Sequence, residues 1–225
     1  MTFPRQIRAV VFDMDGLLVD TETGFRDSFF AVTAERGHDV PMALFQQLIG
    51  VPNASALSAL RAHYGPDFDA EGVFDACWVR FHESLDVGSI LKAGVTDLLD
   101  HLDAMRIPRA IATSSPQEAV TRYLGPGGIV DRFDAVVTKG DYARPKPAPD
   151  PFLTAAARLG IDPVDCLALE DSHNGVRAAH AAGMMTVMVP DLLDPTEEMH
   201  EKCLHVAETL HHVLDLMRPG RRNRL

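Results

Sequence analysis

The chain has 225 residues, 46% of them hydrophobic, and a formal net charge of −11. That length allows one large domain or a core with a smaller insert, and the composition can bury a sizeable core. The acidic balance argues against a nucleic-acid partner and against steering to an anionic membrane, and no apolar run approaches the roughly 20 residues that span a bilayer.

Residues 7–13 read as a strand buried on both faces, an apolar run with β-branched residues stopped by acids. Residues 20–86 change character. Their pattern predicts helices near 20–36, 41–49, 54–64 and 68–86, with loops at 37–41, 50–53 and 65–67 where glycine and proline punctuate the chain. After Gly88 strands and helices alternate: helix 94–105, strand 108–113, helix 116–124 with Pro116 in its first turn, and strand 134–138. Helix 150–159 follows, closed by Gly160. Strand 165–169 runs into Glu170 and Asp171, helix 174–182 is closed by Gly183, and strand 184–189 precedes a remainder read as mostly helix over 196–217.

This alternation predicts an α/β fold, a Rossmann-like parallel sheet covered on both faces. The helical block reads as a small cap domain inserted after the first strand. The core is then 1–17 and 89–225 and the cap 18–88, hinged near 16–20 and 86–92. Ligands in such sheets sit beyond the carboxyl ends of the strands, where Asp13, Thr113, Glu170 and Asp171 all fall.

Asp13 and Asp15 stand one residue apart at the tip of an apolar strand, with Gly16 next. Two such acids resist desolvation and repel each other, and a nearby cation removes the conflict. Asp13 can attack phosphorus and form an acyl phosphate. Asp15 can protonate the leaving alkoxide and then deprotonate water. Asp13, Glu170 and Asp171 form a hard-oxygen set suited to Mg²⁺, whereas the histidines are scattered and offer no zinc site. His173 reads as a loop histidine.

Lys146, held between Pro145 and Pro147, can bridge Asp13 and a transferring phosphoryl group. Thr113 and Ser114 offer a hydroxyl and backbone N–H groups to phosphate oxygens. Ser172 reads as a helix cap, and Asn174 as the residue that orients Lys146 or a carboxylate. Substrate choice is assigned to cap segments near Phe25, Asn53 and His82. Cys77, Cys166 and Cys203 are widely spaced and read as reduced thiols in a cytoplasmic protein with no secretory signal. The basic run Arg218, Arg221, Arg222 and Arg224 reads as a solvated terminus, and a monomer is the default.

Four segments together resemble the haloacid dehalogenase superfamily of phosphotransferases. Phe12-Asp13-Met14-Asp15-Gly16 is similar to its first motif and Ile111-Ala112-Thr113-Ser114-Ser115 to its second. Lys146-Pro147-Ala148-Pro149-Asp150 is similar to the third, and Leu169-Glu170-Asp171-Ser172 to the fourth. The helical insert resembles the small cap of the beta-phosphoglucomutase-like subgroup, which includes phosphoglycolate and sugar-phosphate phosphatases. The resemblance implies Mg²⁺, an aspartyl-phosphate intermediate and a mobile cap. It makes Asp13 nucleophile and metal ligand, gives the metal a backbone carbonyl of Asp15, and completes the site with Asp171 and Glu170.

Family dehalogenases lack the second aspartate of the first motif and the transport ATPases put threonine there, so Asp15 points to turnover by water or a hydroxyl acceptor. Mutases carry a histidine a few residues after the Asp-Thr of the first loop. Here Asp20-Thr21 is followed by Glu22, Thr23, Gly24 and Phe25. The mutase arginine of the cap loop is also absent from 48–54, with Arg61, Arg80 and His82 as its substitutes. Both departures favour a phosphatase of a small phosphorylated metabolite. A mutase is the alternative. A catalytically silent relative is disfavoured because no carboxylate and no lysine is missing.

Overall fold

The computed structural model describes residues 3–49, 51, 53–85 and 90–218. Six parallel strands form one sheet: β1 (Ala9–Phe12), β2 (Arg109–Ala112), β3 (Ala135–Val137), β4 (Cys166–Glu170), β5 (Met185–Met188) and β6 (His205–Val206). Their order is β3-β2-β1-β4-β5-β6. The chain builds outward from β1 to β3, then returns to the other side of β1 with β4. That reversal leaves a crevice beyond the ends of β1 and β4, where α/β sheets bind ligands.

Alternate residues of β1 and β4 enter different layers. Val10, Phe12, Leu167 and Leu169 join one buried cluster with Leu98, Leu99 and Leu102 of α5 (Val95–Met105). Ala9, Val11, Cys166 and Ala168 join a second, with Phe152 and Ala155 of α7 (Asp150–Leu159) and Ala178 and Ala179 of α8 (His173–Ala181). Small residues on that second face bring α7 and α8 close to the strands. Truncating fully buried Leu99 to alanine would cost about 2–5 kcal/mol.

Between β1 and α5 lie α1 (Thr21–Glu35), α2 (Met42–Gln46), α3 (Asn53–Tyr64) and α4 (Ala70–Ser84). They form a helical unit with its own cluster around Phe29, Phe45, Leu60, Val73 and Cys77. The two chain crossings are stitched together. Val19 pairs with Leu91, Asp20 N donates to Ile90 O at 2.8 Å, and Lys92 N donates to Leu18 O at 3.0 Å. The remainder of the expected second hinge, 86–89, lies outside the described residues, as do 219–225 of the basic tail.

One element departs from the sequence reading. The remainder expected to be mostly helix over 196–217 holds two helices, α9 (Glu197–Lys202) and α10 (Leu210–Met217), separated by β6. Val187 and Met188 pair with His205 and Val206, so β5 templates an edge strand too short to show in the local pattern. The eight-residue helix before β3 is α6 (Gln117–Leu124), which begins one residue after Pro116. Among the described residues no helix is long and apolar enough to cross a membrane.

Candidate active site

β1 carries Asp13 one residue beyond its end, and Asp13 N still donates to Leu169 O at 3.0 Å, so the ladder fixes the residue against β4. Asp13, Lys146, Glu170 and Asp171 are all buried. Lys146 Nζ donates to Asp13 Oδ1 and, at 2.6 Å, to Glu170 Oε1. Its ammonium also lies 5.1 Å from the centre of the Phe152 ring, a favourable cation–π distance.

Glu170 is engaged on both oxygens. Its Oε2 accepts from Asp171 N at 3.1 Å, Ser172 N at 3.1 Å and Ser172 Oγ at 3.0 Å. Ser172 in turn caps α8, its Oγ accepting from Gly175 N at 3.1 Å. Gly175 is required here, since a Cβ would fall 1.7 Å from Glu170 Oε1. The orientation of Lys146 thus rests on Glu170, while Asn174 accepts from Arg177 at 3.0 Å.

Past Asp13 the chain turns sharply on Met14 O, which accepts from Leu18 N at 2.8 Å. Gly16 has φ +81°, and a Cβ there would fall 2.3 Å from Asp171 Oδ2. This left-handed, sterically closed position admits only glycine. The turn aims Asp15 at three hydroxyls. Thr21 Oγ1 donates to Oδ1 at 2.9 Å, and Ser115 Oγ at 2.7 Å and Thr113 Oγ1 at 3.3 Å donate to Oδ2. Thr113 is buried after β2 and its Oγ1 accepts from Ser115 N at 2.9 Å; Ser114 is exposed on the rim.

The electrostatics are strained. Burial raises the Asp13 carboxyl to about 8 against the pull of Lys146, with Glu170 and Asp15 adding to the rise. Burial also raises Asp171 well above its usual range, followed by Glu22, Glu170 and Asp13. Burial alone would lower Lys146, but Asp13 and Glu170 outweigh it and raise it. One ammonium faces more negative charge than it can offset. Asp13, Glu170 and Asp171 each present an oxygen within 4.8 Å of the others, so the group could hold a metal ion. An all-carboxylate set is hard and suits Mg²⁺, Mn²⁺ or Ca²⁺. Two further acid oxygens near this set, Glu22 Oε2 and Asp191 Oδ2, are shielded from solvent without a hydrogen-bond partner. The residues present therefore fit a divalent cation.

Phe25 and His82 both pack against Trp78, with ring centres 4.6 and 5.6 Å from it, and His82 Nε2 meets the Tyr123 hydroxyl at 3.0 Å. Asn53 is exposed at the start of α3. A cavity of about 510 Å³ opens between the α2 region and the start of α8, with Gln46, Gln47, Val51, Asn174 and Arg177 in its lining. His173 also lines it, and its Nε2 meets Asp194 O at 2.8 Å.

Glu22, Lys92, Ser115 and Asp191 escaped the sequence reading. Asp191 had a signal, an acid just past the end of β5, as Asp13 is just past β1. Glu22 had none, because one acid in the first turn of a helix is ordinary.

A parallel sheet thus gathers a paired lysine and buried carboxylates at its switch point, a site of the kind an α/β hydrolase can use. The chain belongs to the haloacid dehalogenase-like hydrolases, whose family model matches residues 7–183, and it is an enzyme of that family. It is 32% identical over 196 residues to hexitol phosphatase B of Escherichia coli K12, covering 84% of this chain and 86% of that protein. It is 30% identical over 182 residues to a phosphorylated carbohydrates phosphatase of Thermotoga maritima, covering 79% and 82%. Among solved structures, CbbY from Rhodobacter sphaeroides in complex with phosphate is similar, with TM-score 0.73, 25% identity and coverage of 91% and 95%.

Proposed function

We propose that the chain is a Mg²⁺-dependent phosphatase that hydrolyses a small phosphomonoester, a sugar or polyol phosphate, through an aspartyl-phosphate on Asp13. The observation that carries this reading is the buried Asp13–Lys146–Glu170 array with Asp15 beside it on three hydroxyls. Two of the phosphatases similar to this chain are named for hexitol and phosphorylated carbohydrates, which supports the substrate class, while a third, from Drosophila melanogaster, is named a probable pseudouridine-5'-phosphatase.

Asp13, Asp171, Glu170 and the backbone carbonyl of Asp15 would hold the ion, which when bound neutralises nucleophile and phosphate so that two anions can meet. Asp13 attacks phosphorus in line with the ester oxygen. Lys146 offsets the charge on Asp13 and on the transferring group, and Thr113 and Ser114 receive phosphate oxygens. Asp15 gives its proton to the leaving oxygen, then takes one from the water that cleaves the acyl phosphate. Thr21 and Ser115 fix its direction, so little reorganisation accompanies either transfer, and the longer 3.3 Å bond from Thr113 is released when its one hydroxyl proton turns to phosphate. The helical unit, 18–88, acts as a cap over the strand ends and excludes bulk water. The amide-lined cavity beside Ser172 suits a leaving group rich in hydroxyls.

The cap arginines support hydrolysis over mutase chemistry, since Arg61 is paired with Glu71 and Arg80 with Glu35. The test is a panel of phosphorylated metabolites with Mg²⁺ and a chelator control. It includes beta-glucose 1-phosphate with a bisphosphate activator. Magnesium-dependent release of inorganic phosphate from a sugar or polyol phosphate is expected. Formation of glucose 6-phosphate without phosphate release would replace this reading with a mutase.

A further inference from the structure

Glu22 is the second residue of α1 and belongs to the helical unit, yet its carboxylate sits among acids of the core. Glu22 Oε2 is shielded from solvent and has no hydrogen-bond partner. Asp191, just past β5, repeats the situation from the opposite side. Its Oδ1 accepts from Lys92 Nζ at 2.5 Å, but Oδ2 is shielded and unpartnered, and the side chain is only 10% exposed. A Cβ on Gly16 would lie 2.3 Å from Asp171 Oδ2 and 3.4 Å from Asp191 Oδ2, so both oxygens face the same backbone position.

A buried acceptor without a donor is costly, more so when charged. Neither Glu22 Oε2 nor Asp191 Oδ2 finds a donor from the chain. Burial pushes the Glu22 carboxyl well up, and Asp15, Asp191, Asp13 and Glu170 push it further. Glu22 is in turn the leading charge acting on Asp171. The side chain is therefore close to the cation-binding set, where its charged form is disfavoured without a cation.

We infer that Glu22 and Asp191 are positioning residues for the cation, accepting hydrogen bonds from its water ligands, and that Glu22 thereby couples cation binding to seating of the helical unit on the sheet. The inference rests on the magnesium-dependent reading above. Mg²⁺ keeps several waters when bound to protein, and those waters are the donors that the two orphaned oxygens lack. Glu22 comes three residues after the Val19–Leu91 crossing, so a pull on its carboxylate acts beside the pivot of the unit. Coupling is reciprocal: a seated helical unit also tightens the ion. Asp191, tied to Lys92 beside the second crossing, holds the opposite side.

The intact protein reports the effect without turnover. Trp78 is the sole tryptophan, stacked on His82 with ring centres 5.6 Å apart, and His82 meets Tyr123 of the core. Its emission therefore follows contact between the helical unit and the core. The experiment titrates Mg²⁺ into wild type, Glu22→Gln, Asp191→Asn and Asp171→Asn, with calorimetry for affinity, Trp78 emission for seating and circular dichroism for folding. Wild type should bind Mg²⁺ with a change in emission. Glu22→Gln should bind it at least about tenfold more weakly, the usual effect of losing an outer partner, and lose the emission change. Asp191→Asn should show the weaker binding. Glu22→Gln with wild-type affinity and emission change, while Asp171→Asn loses binding, overturns this inference alone. A wild-type protein that binds no Mg²⁺ overturns the magnesium reading and this inference with it.

Discussion

Lys146 stands between Asp13 and Glu170, its ammonium donating to a carboxylate at the end of β1 and to another at the end of the neighbouring strand β4. Its removal leaves two buried carboxylates uncompensated, a change that costs about 3–5 kcal/mol in buried pairs. Lys146→Met should lose stability of that order in urea denaturation at pH 8 with EDTA. The loss should shrink at pH 5, where Asp13 takes up a proton. An equal loss at both pH values would contradict the charge account.

Asp13→Asn keeps the shape of the side chain and removes the attacking oxygen. Hydrolysis of p-nitrophenyl phosphate should fall by about a thousandfold or more, as expected when a covalent nucleophile is lost. Activity close to wild type would end the nucleophile assignment.

The raised carboxyls fix the sign of a pH dependence. Asp13 is held at about 8 and Asp171 well above its usual range, chiefly by burial, against an ordinary value of 3.8. The folded chain then keeps protons that the unfolded chain releases, so this contribution is fully present below about 4 and is lost as pH rises through about 8. In EDTA the Tm should decline between pH 5 and 8.5, and Mg²⁺ should restore it. Asp171→Asn should flatten the decline and raise the metal-free Tm at pH 8. A variant as pH-sensitive as wild type would refute the assignment.

Gly16 combines a positive φ with a side-chain position occupied by Asp171. Gly16→Ala should cost about 1–3 kcal/mol from backbone strain, and displacement of Asp171 should weaken Mg²⁺ binding. Chemical denaturation and calorimetry measure the two effects. Unchanged ion affinity would separate Gly16 from the site.

Ser115 and Ser114 are neighbours with different duties. Ser115 donates to Asp15 at 2.7 Å, whereas Ser114 is exposed on the rim. Ser115→Ala should lower kcat by about tenfold through poorer orientation of the acid, and Ser114→Ala should act mainly on KM. The reverse pattern in steady-state kinetics would exchange their roles.

Much of this site was legible because acids at the ends of apolar strands have few structural uses. Asp13, Glu170 and Asp171 stood out for that reason, and Lys146 gained its meaning from them. Ser115 could not be told from Ser114, because the turn after β2 has no periodicity from which to read direction. Glu22 is set by packing of the helical unit on the core, a relation that lies outside the local pattern. β6 was hidden for a similar cause: His205 and Val206 are strand only because β5 pairs with them.

The pairing of Val19 with Leu91 has a consequence for descent as well as for motion. A long excursion that departs and returns through one doorway can be enlarged cheaply, at about 0.6 kcal/mol of closure entropy per doubling of length. The storey above the sheet can be rebuilt for a new metabolite while the masonry beneath Asp13 and Lys146 keeps its register. If the helical unit is the cap proposed above, reaction type and substrate preference are inherited on separate parts of one polypeptide.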